Sequence, residues 1–441
     1  MERPTNTVAR TLWRSVTGDG RFPMADGRTV AAFLRAALKL KQGEVLKLSG
    51  MWERARQDLE DAVRQAELAG ATALRAEASR SLGFQLMNLG QYDNALLRLD
   101  EARDGFAAVG DVVGAADTIG NKGSVHLNSG DINKAEKYFL RQLELGVELQ
   151  DPGLRISSMN NLGVVHLYRG DYRKAIELFG NLLEESLTAG SLRGQSSAHG
   201  NMALAHLRLN ETEQAMGHFQ ADLEICQRTG DKGNQARVLA NIGDALYLRG
   251  EHGAAERHLF RCLDLCRELG DKRGESYATG LLGSIREDRG DQAGALSEYD
   301  RAIALSREIR APYFAGVYLN SKASLLYEIG RFDEAAECNR EAGAVVTASG
   351  VPDDIYANRL LAARLAARTD SAAALAQLDS LLADFSDDEE KQAGVLFHRY
   401  RIGRQPVDRE RALELNRRLL ELTGNSRFQR RIDELSKPAA L

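Results

Sequence analysis

Glycine returns every 40 residues along this chain, at Gly50, Gly90, Gly130, Gly170, Gly250, Gly290 and Gly330, and only Asn210 breaks the series. An alanine follows five residues after each position, from Ala55 and Ala95 through Ala295 and Ala335. Seven residues before each stands a second small residue: Gly83, Gly123, Gly163, Ala203, Gly243, Gly283 or Ala323. A fixed period of this size marks a repeat array, in which each unit buries its apolar face only against its neighbours. Such a chain displays a long surface more readily than it builds one enclosed catalytic pocket.

Residues 231–270 show the unit plainly, as DKGNQARVLANIGDALYLRG followed by EHGAAERHLFRCLDLCRELG. Each half reads as a helix ended by glycine, which supplies the left-handed residue that a helix C-terminus often needs. Asp231 and Glu251 open the two helices, where an acidic side chain caps orphan amides and favours the dipole. Asp111, Asp151 and Asp271 open other first helices, and Asp131, Asp171 and Asp291 open second ones. Pro152, Pro312 and Pro352 all fall on the second residue of their blocks, the first helical turn, where a missing N–H costs nothing. The spacing predicts an irregular segment over 1–27, with Trp13 folding back on the array. Eight 40-residue units follow over 28–350, then degenerate helical repeats and a cap over 351–441. In that last part the predicted helices are Asp353–Arg368, Ser371–Phe385, Asp388–Arg401, Asp408–Leu422 and a capping helix Phe428–Leu435.

Helix formers dominate and alternating β-branched runs are absent, so the fold class is all-α. The net charge of −5 is unevenly placed: residues 1–50 balance at +5 and residues 391–441 at +6, leaving −16 between them. An acidic array lacks the continuous basic track that phosphate backbones require, so nucleic acid is not the expected partner, whereas basic peptides or protein surfaces are. The basic tail from Arg399 to Arg431, with Phe397, Tyr400 and Phe428, reads either as the solvated face of capping helices or as a contact for an acidic partner. Cys226, Cys262, Cys266 and Cys338 have no histidine pair at ligand spacing, and read as free thiols in a reducing compartment. His126, His166 and His206 recur one period apart. Stacked helices hold equivalent residues ~10 Å apart, too far for one metal ion, so packing is their expected role. Neither a phosphate-binding loop nor a nucleophile elbow or metallohydrolase helix is present, and no enzyme activity, cofactor or metal is expected. The start of the chain has no apolar signal core, and no stretch approaches ~20 apolar residues, so a cytoplasmic location without a membrane partner is expected. High alanine, arginine and glycine content points to a GC-rich bacterial source.

Asn161-Leu162-Gly163, then Gly170-Asp171-Tyr172, Ala175 and Phe179, resembles the tetratricopeptide-repeat pattern, here with a period longer than the usual ~34. It is similar to the subclass found in kinesin light chains, Leu-Gly-Asn-type adaptors and bacterial signalling proteins. The resemblance implies a right-handed α-solenoid whose first helices line a concave groove that holds an extended peptide. It also implies that the asparagine before each Leu-Gly pair does the holding. That position reads Asn121, Asn161, Asn201 and Asn241, and departs at Ser81, Leu281 and Ser321. The chemistry is sound without the family: a primary amide both donates and accepts, so a row of them satisfies peptide N–H and C=O groups whatever the side chains. The competing reading is that the row bonds neighbouring helices instead. Specificity falls to flanking positions: Ser157, Ser197, Arg237 and Tyr277 four residues before the row, and Tyr168, Arg208 and Tyr247 after it. Arg237 with Asn241 resembles the pair by which similar adaptors seize a carboxylate; the alternative is a solvated surface charge. The expected function is a protein-binding adaptor, with a regulatory sensor that changes shape on binding a peptide or small effector as the alternative.

The alanine position is predicted to mark the tight crossing of paired helices. Ala175→Leu should overpack it at a cost of about 1–3 kcal/mol, read as a lower thermal midpoint; an unchanged midpoint would show the register to be wrong.

Overall fold

A computed structural model describes residues 27–48, 51–309, 311–423 and 426–437. It divides into two compact units, one running to Gly274 and the other from Glu275. The first unit opens with α1 (Gly27–Leu48), α2 (Trp52–Leu68), α3 (Thr72–Asn88), α4 (Tyr92–Ala108), α5 (Val112–Asn128) and α6 (Ile132–Glu148). It continues with α7 (Pro152–Arg169), α8 (Tyr172–Thr188), α9 (Leu192–Arg208), α10 (Thr212–Thr229), α11 (Lys232–Leu248) and α12 (His252–Leu269). The division falls inside α13 (Lys272–Asp288). The second unit then holds α14 (Gln292–Glu308), α15 (Pro312–Glu328), α16 (Phe332–Ser349) and α17 (Pro352–Ala366). It ends with α18 (Ser371–Asp384), α19 (Glu389–Gly403), α20 (Pro406–Thr423) and α21 (Ser426–Ser436). No strand occurs among the described residues. Within each unit successive helices pack through short turns, which makes an all-α solenoid of antiparallel helix pairs. The segment expected to be irregular, and Trp13 with it, lies outside the described residues apart from Gly27, which begins α1.

Helix ends follow the glycines at half the sequence period. Positive φ recurs every 20 residues through the first unit, from Gly70 to Gly270, with Gln150 at 52° and Asn210 at 58° taking the two places that lack glycine. The break in the glycine series at Asn210 is therefore chemical and not conformational, since asparagine tolerates the left-handed region better than most residues. Asp111, Asp131, Asp151, Ser191, Asp231 and Asp291 accept from the backbone N–H three residues on, as caps should. Asp171 and Glu251 do not, contrary to expectation. The Asp171 carboxylate instead faces His166 Nδ1 at 3.3 Å, and Glu251 pairs with Arg249 at 2.7 Å. Pro152, Pro312 and Pro352 each sit in the first turn of their helices.

The pairs close on small residues. A Cβ added at Gly123 would lie 2.6 and 2.8 Å from ring carbons of Phe139, and one at Gly83 2.8 Å from Leu99. Gly43 stands in the same relation to Leu59, Gly243 to Leu259 and Gly283 to Tyr299. The large partners are almost wholly buried, as are Ala55, Ala95, Ala135, Ala175, Ala215, Ala255 and Ala295. In α16 the large-residue position is Asn339, which is also buried; its backbone carbonyl accepts from Asn358 at 2.8 Å and its side-chain oxygen from the same amide at 3.0 Å. The loss of regular spacing beyond Pro352 begins with this exchange of an apolar knob for a polar one.

Gly163 is the tightest test of this packing. A methyl there would lie 2.6 and 2.8 Å from two carbons of the fully buried Phe179 ring. Gly163→Ala gains about 1 kcal/mol of helix propensity, but the ring has nowhere to move and overpacking costs about 1–3 kcal/mol. The variant should therefore melt below the parent in a calorimetric scan; a rise would show that the α7–α8 crossing can relax.

Candidate functional site

The first helices of the pairs, α5, α7, α9 and α11, each turn one stripe toward solvent at i, i+3 or i+4 spacing. Its central position is the asparagine row, and Asn121, Asn161, Asn201 and Asn241 are all half-buried there. The buried Leu162-Gly163 type of pair that follows packs inward and fixes each helix's rotation, which is why the asparagine faces out.

The four amides are not equivalent. Asn201 Nδ2 donates to Asn160 Oδ1 at 2.9 Å, and Asn160 Nδ2 reaches Asn161 Oδ1 at a long 3.5 Å. Asn160 thus links neighbouring pairs, a role the sequence reading did not assign; its one signal was the Asn160-Asn161 doublet. Asn161 keeps its Nδ2 donors and Asn201 its Oδ1 acceptor. Asn121 and Asn241 make no side-chain hydrogen bond among the described residues. In the second unit a related link forms where Asn358 donates to Asn320 at 2.8 Å.

Arg237 is engaged. Its Nη2 lies 3.3 Å from Asp222 Oδ2, and Asp222 is fully buried in α10. Ser196 Oγ donates to the other carboxylate oxygen at 2.5 Å, and Cys226 Sγ points to that same oxygen at 3.5 Å. Gly200 makes room for this group, since a Cβ there would stand 2.8 Å from Asp222 Oδ2. Burial and the adjacent carboxylate push the Cys226 thiol up to about 11, so it stays protonated and packs as an apolar group. Asp222 ties α9, α10 and α11 together; sequence reasoning missed it because a lone aspartate in a second helix carries no local signal.

Of the flanking residues, Ser157 and Ser197 are half-buried beside the row, Tyr168 is 67% exposed, and Arg208 is exposed with no ion pair among the described residues. Tyr247 stacks on His252 with ring centroids 5.8 Å apart. Tyr277 is half-buried and belongs to the second unit. The periodic histidines have packing partners of their own: His126 stacks on Tyr138 at 5.2 Å, and His206 Nδ1 meets Glu211 at 2.7 Å. His206 also stacks on His218, whose Nδ1 lies 3.0 Å from that of His199. Burial and these two neighbouring imidazoles hold His218 down to about 4, so it is neutral at ordinary pH. Among the described residues no three His, Cys, Asp or Glu side chains gather as a metal site, and no helix is long and apolar enough to cross a membrane.

Arg237→Ala would leave Asp222 without its cation. The loss should be roughly 1–3 kcal/mol, the range for a buried polar group stripped of a partner, and Asp222→Asn should recover part of it in the double variant. Chemical denaturation of the two singles and the double checks this; additive effects would show that the pair is not coupled.

The tetratricopeptide-repeat family pattern matches residues 114–184 and 194–268, the stretch that carries the asparagine row. No curated protein matches the chain. Among solved structures it is similar to a Rap protein complexed with competence and sporulation factor, at 15% identity and a TM-score of 0.55, covering 82% of this chain and 99% of the other. It is similar, at 14% identity and a TM-score of 0.53, to a Signal Transduction ATPase with Numerous Domains from Pyrococcus horikoshii that has a tetratricopeptide repeat sensor, covering 98% and 73%. A monomeric IFIT1 mutant with m7Gppp-AAAA is similar at 12% identity and a TM-score of 0.53, covering 98% and 95%. Likeness at these identities shows the fold alone.

Proposed function

Residues 114–184 and 194–268 match the tetratricopeptide-repeat family, and on that premise we propose that the chain is a non-enzymatic adaptor whose first-helix face in the first unit holds an extended segment of a partner protein. The observation that carries the reading is the unspent hydrogen-bonding capacity of the asparagine row. Among the described residues Asn121 and Asn241 have free amides, and Asn161 and Asn201 are oriented by Asn160 with one group each to spare. An extended backbone offers N–H and C=O groups at a regular rise and matches such a row without regard to sequence. Ser157, Ser197, Tyr168 and Arg208 then supply selectivity at its margin. Tyr247 contributes a ring already held by His252. Arg237 acts here through Asp222, orienting its helix face more than seizing a ligand carboxylate.

A sensor is the second reading, favoured by the similarity to the Rap protein complexed with a factor and to the repeat described as a sensor. Contacts between repeats are local, so small changes at each interface sum to a change in pitch. A ligand-dependent radius in solution scattering distinguishes it from a static adaptor.

The test begins with affinity capture followed by a photo-crosslinker placed at Ser197 or, as a control, at Glu177 on the second-helix face. The recovered partner should crosslink from Ser197 only. Changing Asn121, Asn161, Asn201 and Asn241 together to Ala should lower its affinity by roughly one to three decades, at about 0.5–1.5 kcal/mol per lost bond with incomplete additivity. Calorimetry with helical content as the folding control reads this; an unchanged affinity in the folded variant moves the site off the row.

A further inference from the structure

The closing helices of the second unit concentrate arginine. Arg364 on α17, Arg401 on α19 and Arg427 on α21 each have a carboxylate: Glu328 at 2.6 Å, Glu434 at 3.2 Å and Glu390 respectively. Arg431, one turn beyond Arg427, has none. It is half-buried, and among the described residues it makes neither a salt bridge nor a side-chain hydrogen bond. A charge withdrawn from water without a partner is costly, and native structures pair almost all such groups.

Its surroundings converge on one place. The guanidinium lies 5.7 Å from the ring centroid of Phe397, and Arg401 lies 5.7 Å from the same ring. His398 stands against that ring edge-on at 5.1 Å, and its imidazole makes no hydrogen bond among the described residues. One turn earlier Gly394, lacking a side chain, lets the arginine fork lie close against the helix. A Cβ at that position would sit 3.5 and 3.6 Å from the two terminal nitrogens of Arg431, with the Tyr356 hydroxyl closer still. Burial, together with Arg364, Arg431 and Arg401, pushes the His398 pKa well below its ordinary value, so the ring is neutral while the site is empty of anions.

We propose that Arg431, Arg401 and His398 form a binding site for a phosphate monoester on the C-terminal helices. The fork of Arg431 matches two phosphate oxygens and Arg401 adds a second charge. A dianion offsets both Arg431 and a His398 that takes up a proton to donate, whereas a carboxylate has one charge for two cations. A nucleic-acid backbone fits poorly, because Glu328 and Glu390 already neutralise Arg364 and Arg427 outside the site and would repel successive phosphates. The site takes one phosphate group, from a small metabolite or from a phosphorylated side chain.

The test is calorimetry of the full chain with phenyl phosphate, a phosphoserine peptide, acetate and a single-stranded oligonucleotide. Phenyl phosphate should bind saturably and acetate should not. Tighter binding of the phosphopeptide would assign the source to a protein, and equal binding to a small molecule; both agree with the site. Arg431→Met should weaken phenyl phosphate by about tenfold or more, the loss of a charge-assisted pair. Arg431→Lys should fall between, and Arg430→Ala, on the exposed side of the same helix, should match the parent. Phosphate should also raise the thermal midpoint of the parent and not that of Arg431→Met, which keeps the result readable if the variant is less stable. No saturable phosphate binding, equal binding by Arg431→Met, equal binding of acetate, or oligonucleotide binding that displaces phenyl phosphate would each overturn the proposal.

Discussion

The structure depends on a small residue facing a large one across each helix pair. Gly163 against Phe179, Gly123 against Phe139 and Gly243 against Leu259 bring two backbones close enough for the large side chain to be fully enclosed. Each enclosed Phe or Leu contributes roughly 1.5–3 kcal/mol of burial, but only if the opposing residue has no side chain to block it. Repeating that contact every 40 residues is what lets a chain with few aromatic residues build an extended array without one central core. It also sets the rotation of every first helix, since the glycine must face inward. The residue two positions earlier is thereby turned toward solvent, and this is how the asparagine row comes to lie along one face.

Polar groups placed inside the array carry a second layer of order. Asp222 is fully buried, yet Ser196, Cys226 and Arg237 reach it from three successive helices. Such a group adds little net stability, because desolvation offsets most of the attraction. What it adds is registry, since any slip between α9, α10 and α11 strands the carboxylate. The Asn160–Asn201 bond does the same on the first-helix face, ordering two of the four amides in the row. Pre-ordering of this kind lowers the entropy lost on binding.

The two ends of the chemistry sit in different units. The asparagine row, a line of neutral amides, belongs to the first. Arg431 belongs to the second, where its own guanidinium has no carboxylate partner among the described residues. Neutral amides suit a peptide backbone and an uncompensated arginine suits an anion, so the two proposed sites differ in the ligand chemistry their side chains favour.

Much of this was fixed by sequence alone. The glycine period, the proline placement and the acidic openings give helix ends to within a residue or two, because capping and left-handed turns are local properties of the backbone. The period also put four asparagines in one row, since equal spacing on stacked helices means an equal facing. Partnership was decided only by the tertiary structure. Nothing near Arg237 in the chain names Asp222, fifteen residues away on another helix, and nothing near Asn201 names Asn160 on a neighbouring pair. Arg427 and Arg431 look alike in sequence, yet one meets Glu390 and the other meets no carboxylate among the described residues. Electrostatic satisfaction is a sum over everything that packs nearby, and the packing of α17, α19 and α21 is what left Arg431 its unspent charge.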